Sequence, residues 1–496
     1  MPPARCDKMA STEVFIGMQF KLRDAFVWVS LFLCLFPAAA LAQSATVPMV
    51  MLSDLHFDPF HDPAKVPLLV KSPVEAWQGI LESPDSPTQA ADFKSVQKAC
   101  KAKDLTDAPW VLLSGALKAA RAQTPDAKLV TVSGDLLVHD LDCRYRAALG
   151  LPKAAGDDQS VSTAFAEKTA VFVMHQVEQE FKAIPVYFAL GNNDSRCNHN
   201  RLDIRDEFLK ATGQAVIDGL AGVSAAERKQ ALDTYDGAGY YAVTMPGPMR
   251  HTRLLVVDDV YMMSKFETCE ADDKDTKGAT EQIAWLTKEL DAAKLRGERV
   301  WVLGHVPPAA NPRSSLAKKN DLCGPGEAEM FLSSDGLADT LATHAAVVKL
   351  AVFGHTHMDE FHLIGAVPMK VVPSVSAVDG NLPSFTVGKV APATATLVDY
   401  TVFAASNTTG LATTWTKEYA FDETYHEPSF TTAPLADLIG RLRADTLGTG
   451  PESQSYQKFY FKGASESELA PYWPGYICSL DHTRAASFKA CACGGK

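Results

Sequence analysis

The chain has 496 residues, 47% of them hydrophobic and 21% charged, enough for a large core and about one large domain with appendages. A formal net charge of −12 argues against nucleic acid or an anionic membrane surface as the main partner. It leaves an anionic substrate open, because a metal site brings its own positive charge.

Residues 24–42 read as an export signal. Lys21 and Arg23 precede the apolar run 26–36, and Ala40-Leu41-Ala42 forms a small-residue cleavage site before Gln43. The run is short for a membrane span, although a signal anchor is the plain alternative. The positive flank is best placed if translation starts at Met18, which would leave 1–17 untranslated. With no later segment apolar enough to cross a bilayer, the mature chain is expected to be soluble and secreted or periplasmic.

The first strand, 48–52, ends in Ser53-Asp54-Leu55-His56-Phe57-Asp58-Pro59. Residues 59–110 carry frequent Pro, Asp and Ser and read as a long excursion with limited regular structure, of the kind that selects substrate above a sheet edge. A helical pattern (Leu112, Leu113, Leu117, Ala120) leads to a buried strand at 129–132 ending in Ser133-Gly134-Asp135. A helix over 163–182 and a strand over 186–190 follow, the latter ending in Gly191-Asn192-Asn193-Asp194. A helical stretch at 202–232 precedes an antiparallel pair, 240–244 with 253–257. Ile283, Leu286 and Leu290 mark a helix with Glu281 in its first turn and Gly297 as its stop. Strands 300–303 and 350–353 end in Gly304-His305-Val306-Pro307-Pro308 and Gly354-His355-Thr356-His357, and 369–372 and 395–400 add sheet. From about 432 the chain reads as helices and loops with a Gly-rich tail. There is no internal repeat, and the order of elements is α/β with two sheets.

Ten cysteines fall to eight after cleavage (Cys100, Cys143, Cys197, Cys269, Cys323, Cys478, Cys491, Cys493), an even number that suits disulfides in an exported protein. Cys100 with Cys143 would anchor the long excursion, and Cys478 would pair with Cys491 or Cys493. A C-terminal metal knot is the rival, but Cys491-Ala492-Cys493 lacks the two-residue spacer of zinc knuckles.

The strand ends together offer Asp54 and His56, Asp135 and His139, Asn192, His305, and His355 with His357. Singly, each could be a capping Asp or a core imidazole. Jointly, carboxylate, carboxamide and imidazole suit Zn²⁺, Mn²⁺ or Fe²⁺ better than an all-oxygen calcium site. In extended segments Asp54/His56 and His355/His357 would each present two side chains on one face. Asp135 reads as a carboxylate shared by two ions.

The series DLH, GDLLVHD, GNND, GHVPP and FGHTH resembles the calcineurin-like metallophosphoesterases. DLHFDP at 54–59, His139, GHVPP at 304–308, GHTHMDEF at 354–361 and the segment 373–385 narrow this to the acid sphingomyelinase-like phosphodiesterase branch. The resemblance spans residues 47–400 well and the C-terminus more loosely. It implies a two-sheet sandwich flanked by helices, a phosphoesterase domain over 43–430 and a helical, Cys-bearing region over 431–496. It implies two metal ions, zinc first: one on Asp54, His56, Asp135 and His357, the other on Asp135, Asn192, His305 and His355. It also supports a Cys269–Cys323 bridge beside the second ion.

One position departs from the family. The His usual after the ligand Asn is Asn193, as in endopolyphosphatase-like relatives. Asn193 can donate to a phosphoryl oxygen but cannot act as an acid, and His199 could take the vacant space. His139 is then the expected proton donor to the leaving group. The expected activity is hydrolysis of a small-molecule or lipid-headgroup phosphodiester by a metal-activated hydroxide, with peripheral membrane contact left open. Polyphosphate or nucleotide phosphoanhydrides are the first alternative substrates, and a non-enzymatic metal-binding surface protein is the second.

Overall fold

The computed structural model describes residues 46–101, 107–154, 160–197, 199–269, 276–461 and 469–494. The export signal expected within 1–42 lies outside the described residues. Short apolar runs make the first six strands: β1 (Val47–Leu52), β2 (Val130–Ser133), β3 (Val186–Ala189), β4 (Tyr241–Thr244), β5 (Thr252–Val256) and β6 (Arg299–Leu303). The next six are β7 (Val348–Phe353), β8 (Glu360–Ile364), β9 (Val367–Val371), β10 (Ser384–Ala391), β11 (Thr396–Ala405) and β12 (Trp415–Ala420).

They form two sheets, ordered β12-β11-β10-β1-β2-β3 and β4-β5-β6-β7-β9-β8. In the first, β1, β2 and β3 are parallel while β10 to β12 run antiparallel. In the second, β5, β6, β7 and β9 are parallel, with β4 and β8 antiparallel at the edges. The parallel strands are buried almost throughout, as expected of strands covered on both faces. Tyr241 on β4 exchanges hydrogen bonds with the backbone of Phe188 on β3, and Trp301 on β6 donates to Ala395 O at 2.6 Å, so polar contacts stitch the two sheets across an otherwise apolar core.

The excursion after β1 departs from the expectation of limited regular structure. It folds into the short helices Val66–Lys71, Trp77–Glu82 and Gln89–Ala99. The first two have too few turns to show an apolar period, and the third buries only Val96. They are held by isolated anchors instead: Val66, Leu69 and Trp77 are fully buried, Trp77 packs on Phe165 and Phe172, and its indole donates to Leu69 O. The helical stretch expected over 202–232 is two helices, Glu207–Asp218 and Ala225–Ala238, capped by Asp206 and Ser224. Helix Lys277–Arg296 ends at Gly297 (φ 66°) as expected, but begins early enough that Glu281 lies beyond its first turn. At the C-terminus, helix Thr432–Ala444 buries Leu435, Leu438, Ile439 and Leu442 in the main core beside β8 and β9.

Four disulfides join Cys100–Cys143, Cys197–Cys269, Cys323–Cys493 and Cys478–Cys491. The first matches expectation and the last selects one of the two partners left open for Cys478. The Cys269–Cys323 pairing is overturned. Residues 200–202 lie alongside Glu267, with backbone hydrogen bonds in both directions, and this carries Cys269 to Cys197. Cys323 is met by the C-terminal helix Ala485–Cys493, whose Phe488 packs with Ala310 and Leu322 and whose Lys489 bonds Gly326 O.

In helix Thr163–Glu180, burial first and Asp218 second push the Glu178 carboxyl up to about 8. Its buried Oε1 accepts no hydrogen bond among the described residues. A raised folded-state value means that stability falls as pH climbs from the ordinary carboxyl range through about 8. Glu178→Gln removes that slope. The expected result is a melting temperature that falls less between pH 5 and pH 9, on the order of several degrees less, than in the parent.

Candidate metal centre

The carboxyl ends of β1, β2, β3, β6 and β7 converge, as open α/β sheets direct functional groups to do. The backbone there is not extended. Asp54, His56, Asp135, His355 and His357 all have positive φ, between 37° and 72°. The alternation expected for extended pairs is therefore replaced by tight turns, which cost about 1–3 kcal/mol each and persist where surrounding structure over-determines them. His357 joins the Asp54/His56 side, while His355 swings to the other. Glycines give the turns room: a Cβ on Gly191 would stand 2.2 Å from Asp135 Oδ1, and one on Gly354 would stand 1.9 Å from Ser53 Oγ and 2.7 Å from Asp54 Oδ2. Gly354→Ala is accordingly expected to displace Asp54 and remove about one metal equivalent, measurable by elemental analysis.

The side chains form two groups around one oxygen. Asp135 Oδ2 lies 3.4 Å from His56 Nε2 and 3.4 Å from His305 Nε2. On the first side, His56 Nε2 is 3.2 Å from His357 Nε2, which is 3.3 Å from Asp54 Oδ1. On the second, Asn192 Oδ1 is 3.0 Å from His305 Nε2 and 2.8 Å from His355 Nδ1. All seven residues expected as ligands are thus brought together.

The donor set fits cations. Among the described residues no well-formed hydrogen bond reaches buried Asp54 Oδ1, and two imidazole nitrogens point at one another. Burial and then His139 push His56 down to about 4, and burial and then His305 push His355 down to about 3, so both rings are neutral and ready to ligate. Burial opposes ionisation of Asp135, but His305, His56 and a backbone N–H hold it well below the usual carboxylate range.

Three of the four imidazoles are oriented from behind: His56 Nδ1 donates to Leu137 O (2.8 Å), His305 Nδ1 donates to Ser133 O (2.7 Å), and His357 Nδ1 faces Asp379 (3.0 Å). Asn193 is turned inward. Its backbone and side-chain N–H groups both donate to Asp135, at 2.8 Å each, so the amide aims the shared carboxylate. Asp194 accepts from the backbone of Leu136, Leu137 and Gly191, and Asp259 from that of His305 and Val306, tying the ligand turns together.

His139 stacks on His56 with ring centroids 4.1 Å apart, and one of its nitrogens lies within 4.8 Å of ligand atoms on His56 and His357. Its Nδ1 donates to Asp107 at 2.7 Å. Burial lowers its basicity, yet the Asp107 charge and hydrogen bond outweigh that and hold it above the ordinary imidazole value. Buried Arg144 spans Asp107 and Asp58, at 2.5 and 3.1 Å. His199 is half-exposed and bonds Asp140 at 2.9 Å, on the residue next to His139. Sequence reasoning missed Asp107, Arg144 and Asp379. None lies in a strand-end motif, and their roles depend on contacts between distant segments.

A calcineurin-like phosphoesterase family model matches residues 48–359. Acid sphingomyelinase-like phosphodiesterase 3b of Mus musculus is 23% identical, over 89% of this chain and 89% of that protein. Sphingomyelin phosphodiesterase of Bos taurus is 26% identical, over 58% of this chain and 44% of that protein. Endopolyphosphatase of Candida glabrata is 23% identical, over 55% and 36%. With well over half its length matched by the family model and the strand-end residues gathered in one site, the chain belongs to the calcineurin-like phosphoesterase family.

Proposed function

We propose that the chain is an exported phosphodiesterase with a binuclear metal centre. Asp54, His56, Asp135 and His357 hold one divalent ion, and Asp135, Asn192, His305 and His355 hold the other, with Zn²⁺ the first choice and Mn²⁺ or Fe²⁺ the alternatives. The observation that carries this is the single oxygen, Asp135 Oδ2, standing between two sets of donors. When bound, such a pair supplies Lewis acidity at the phosphoryl oxygens and an activated water.

The chain's own groups do the rest. Asn193 fixes the plane of the Asp135 carboxylate. Asp107 holds His139 through Nδ1, leaving Nε2 as the nitrogen that hands a proton to the departing alcohol. His199, tied to Asp140, is the reserve donor. Four disulfides suit an oxidising compartment, and no helix among the described residues is long and apolar enough to cross a membrane.

A second reading, hydrolysis of phosphoanhydrides such as polyphosphate or nucleotides, draws on Asn193 and on the endopolyphosphatase relative. Parallel product assays on a phosphocholine diester, a nucleotide and polyphosphate separate the two. Faster turnover of the diester is expected, and preference for polyphosphate would favour the second reading. A non-enzymatic metal-binding protein would hold metal yet leave every substrate intact, a generic aryl phosphodiester included.

A further inference from the structure

From a single turn, His355 and His357 reach different donor groups, and both have positive φ (72° and 62°). Strained backbone of this kind persists where its surroundings hold it from both sides. Upstream lies β7, an interior strand of its sheet, and the turn itself is tied back by His355 N to Asp54 and by Ser374 N to His357 O. Downstream lies β8, which ends the same sheet as its edge strand.

The C-terminal region covers that edge. Tyr460 O accepts from Asp359 N at 3.1 Å, and Leu480 O accepts from Leu363 N at 2.7 Å. His362 points one ring nitrogen at Ser479 O (3.1 Å) and the other at Glu360 Oε2 (3.2 Å). Covering an edge with backbone contacts is a common device and needs no buried charge. Glu360, the first residue of β8 and only 3% exposed, brings one.

Its contacts run from the ligand turn to the C-terminal region. Glu360 Oε2 accepts from the Tyr476 hydroxyl at 2.6 Å, and Tyr476 OH lies 3.2 Å from Tyr456 OH. Burial opposes its ionisation, but His362 and then the Thr356 and Tyr476 hydroxyls hold it below the usual carboxyl range. Thr356 stands between the two ligand histidines, and its Oγ1 accepts from Met358 N at 3.3 Å. An apolar cluster of similar volume would pack the same space at no loss of stability. A satisfied buried polar network fixes one arrangement instead, which is what two ligands on one strained turn require. The far end is fixed as well, because Cys478 is bonded to Cys491 and Cys493 to Cys323.

We propose that Glu360 is a positioning residue of the metal centre, through which Tyr476 and the C-terminal region hold the His355–His357 turn in its ligand geometry. The inference rests on the metal-centre reading above and deepens it, since Glu360 acts on the ions only through the turn.

Competition for Zn²⁺ against a chromophoric chelator reads the effect without turnover, with the melting temperature of the metal-free protein followed alongside. In Tyr476→Phe and Glu360→Ala, zinc binding is expected to weaken by about 10–100-fold, the range for partners that orient ligands from outside the coordination shell. Glu360→Gln, which keeps an oxygen acceptor for Tyr476, should recover part of the loss. Should Glu360→Ala not fold, Tyr476→Phe and Glu360→Gln carry the same test. Trp473→Phe is the control for stability alone: it removes a 2.7 Å bond to Asp445 O in the same region, outside this chain of contacts, and should bind zinc as the parent does. Parent-like zinc affinity in Tyr476→Phe or in Glu360→Ala overturns the proposal, as does an equal loss in Trp473→Phe at a similar melting temperature. A parent that holds no zinc overturns the metal-centre reading instead.

Discussion

Asp135→Asn should abolish turnover and strip both metal ions. The carboxylate stands 3.4 Å from an imidazole nitrogen of each donor group and is itself aimed by two hydrogen bonds from Asn193. A neutral amide of the same shape keeps the packing but cannot offset the charge of two adjacent cations. Losing the Lewis acidity of the pair forfeits several kcal/mol of transition-state stabilisation, on the order of 10³-fold or more in rate. Elemental analysis and turnover of an aryl phosphodiester read the two effects together. Asp54→Asn differs in kind, since Asp54 Oδ1 faces the first donor group while its Oδ2 accepts from the His355 backbone, and the second ion should survive in it.

His139→Ala carries the next largest effect. On esters with poor leaving groups, turnover is expected to fall by about 10²–10⁴-fold, the range for a lost general acid. On an activated aryl ester, whose phenolate departs without a proton, the loss should be much smaller. Metal content should hold, because the four ligands of each ion remain. Asp107→Asn should reproduce the same leaving-group dependence in weaker form, since the amide can no longer hold His139 as Asp107 does at 2.7 Å. Equal losses on both classes of ester, or loss of metal, would make His139 a ligand or an orienting group, consistent with its nitrogen lying within 4.8 Å of ligand atoms on His56 and His357. Proton donation would then pass to His199.

The strands and their ligand ends were legible because each is a short apolar run closed by a polar residue, a pattern that local sequence carries by itself. Val186–Ala189 running into Gly191-Asn192 is the clearest case. The helices after β1 were not legible, because each is held by one or two buried residues such as Leu69 or Trp77 rather than by a periodic face. The turn geometry at His355 and His357 was also hidden. Adjacent ligand positions suggested one extended pair, whereas positive φ at both sends them to different donor groups. The disulfides of Cys269 and Cys323 depend on how segments far apart in sequence pack, through the Arg201–Glu267 contact and the C-terminal helix, and no spacing encodes that. Asn193 was singled out for what it lacks, a proton to give. The structure adds what it does, which is to hold Asp135.

The most direct test of the account is a metal titration of the chelated, refilled enzyme. Apoprotein should be inactive on an aryl phosphodiester, and Zn²⁺ should restore turnover with a break at two equivalents per chain. In Asp54→Asn the tightly bound metal should drop to one. Full activity in metal-free protein, or complete recovery at a single equivalent, would contradict the shared-carboxylate centre.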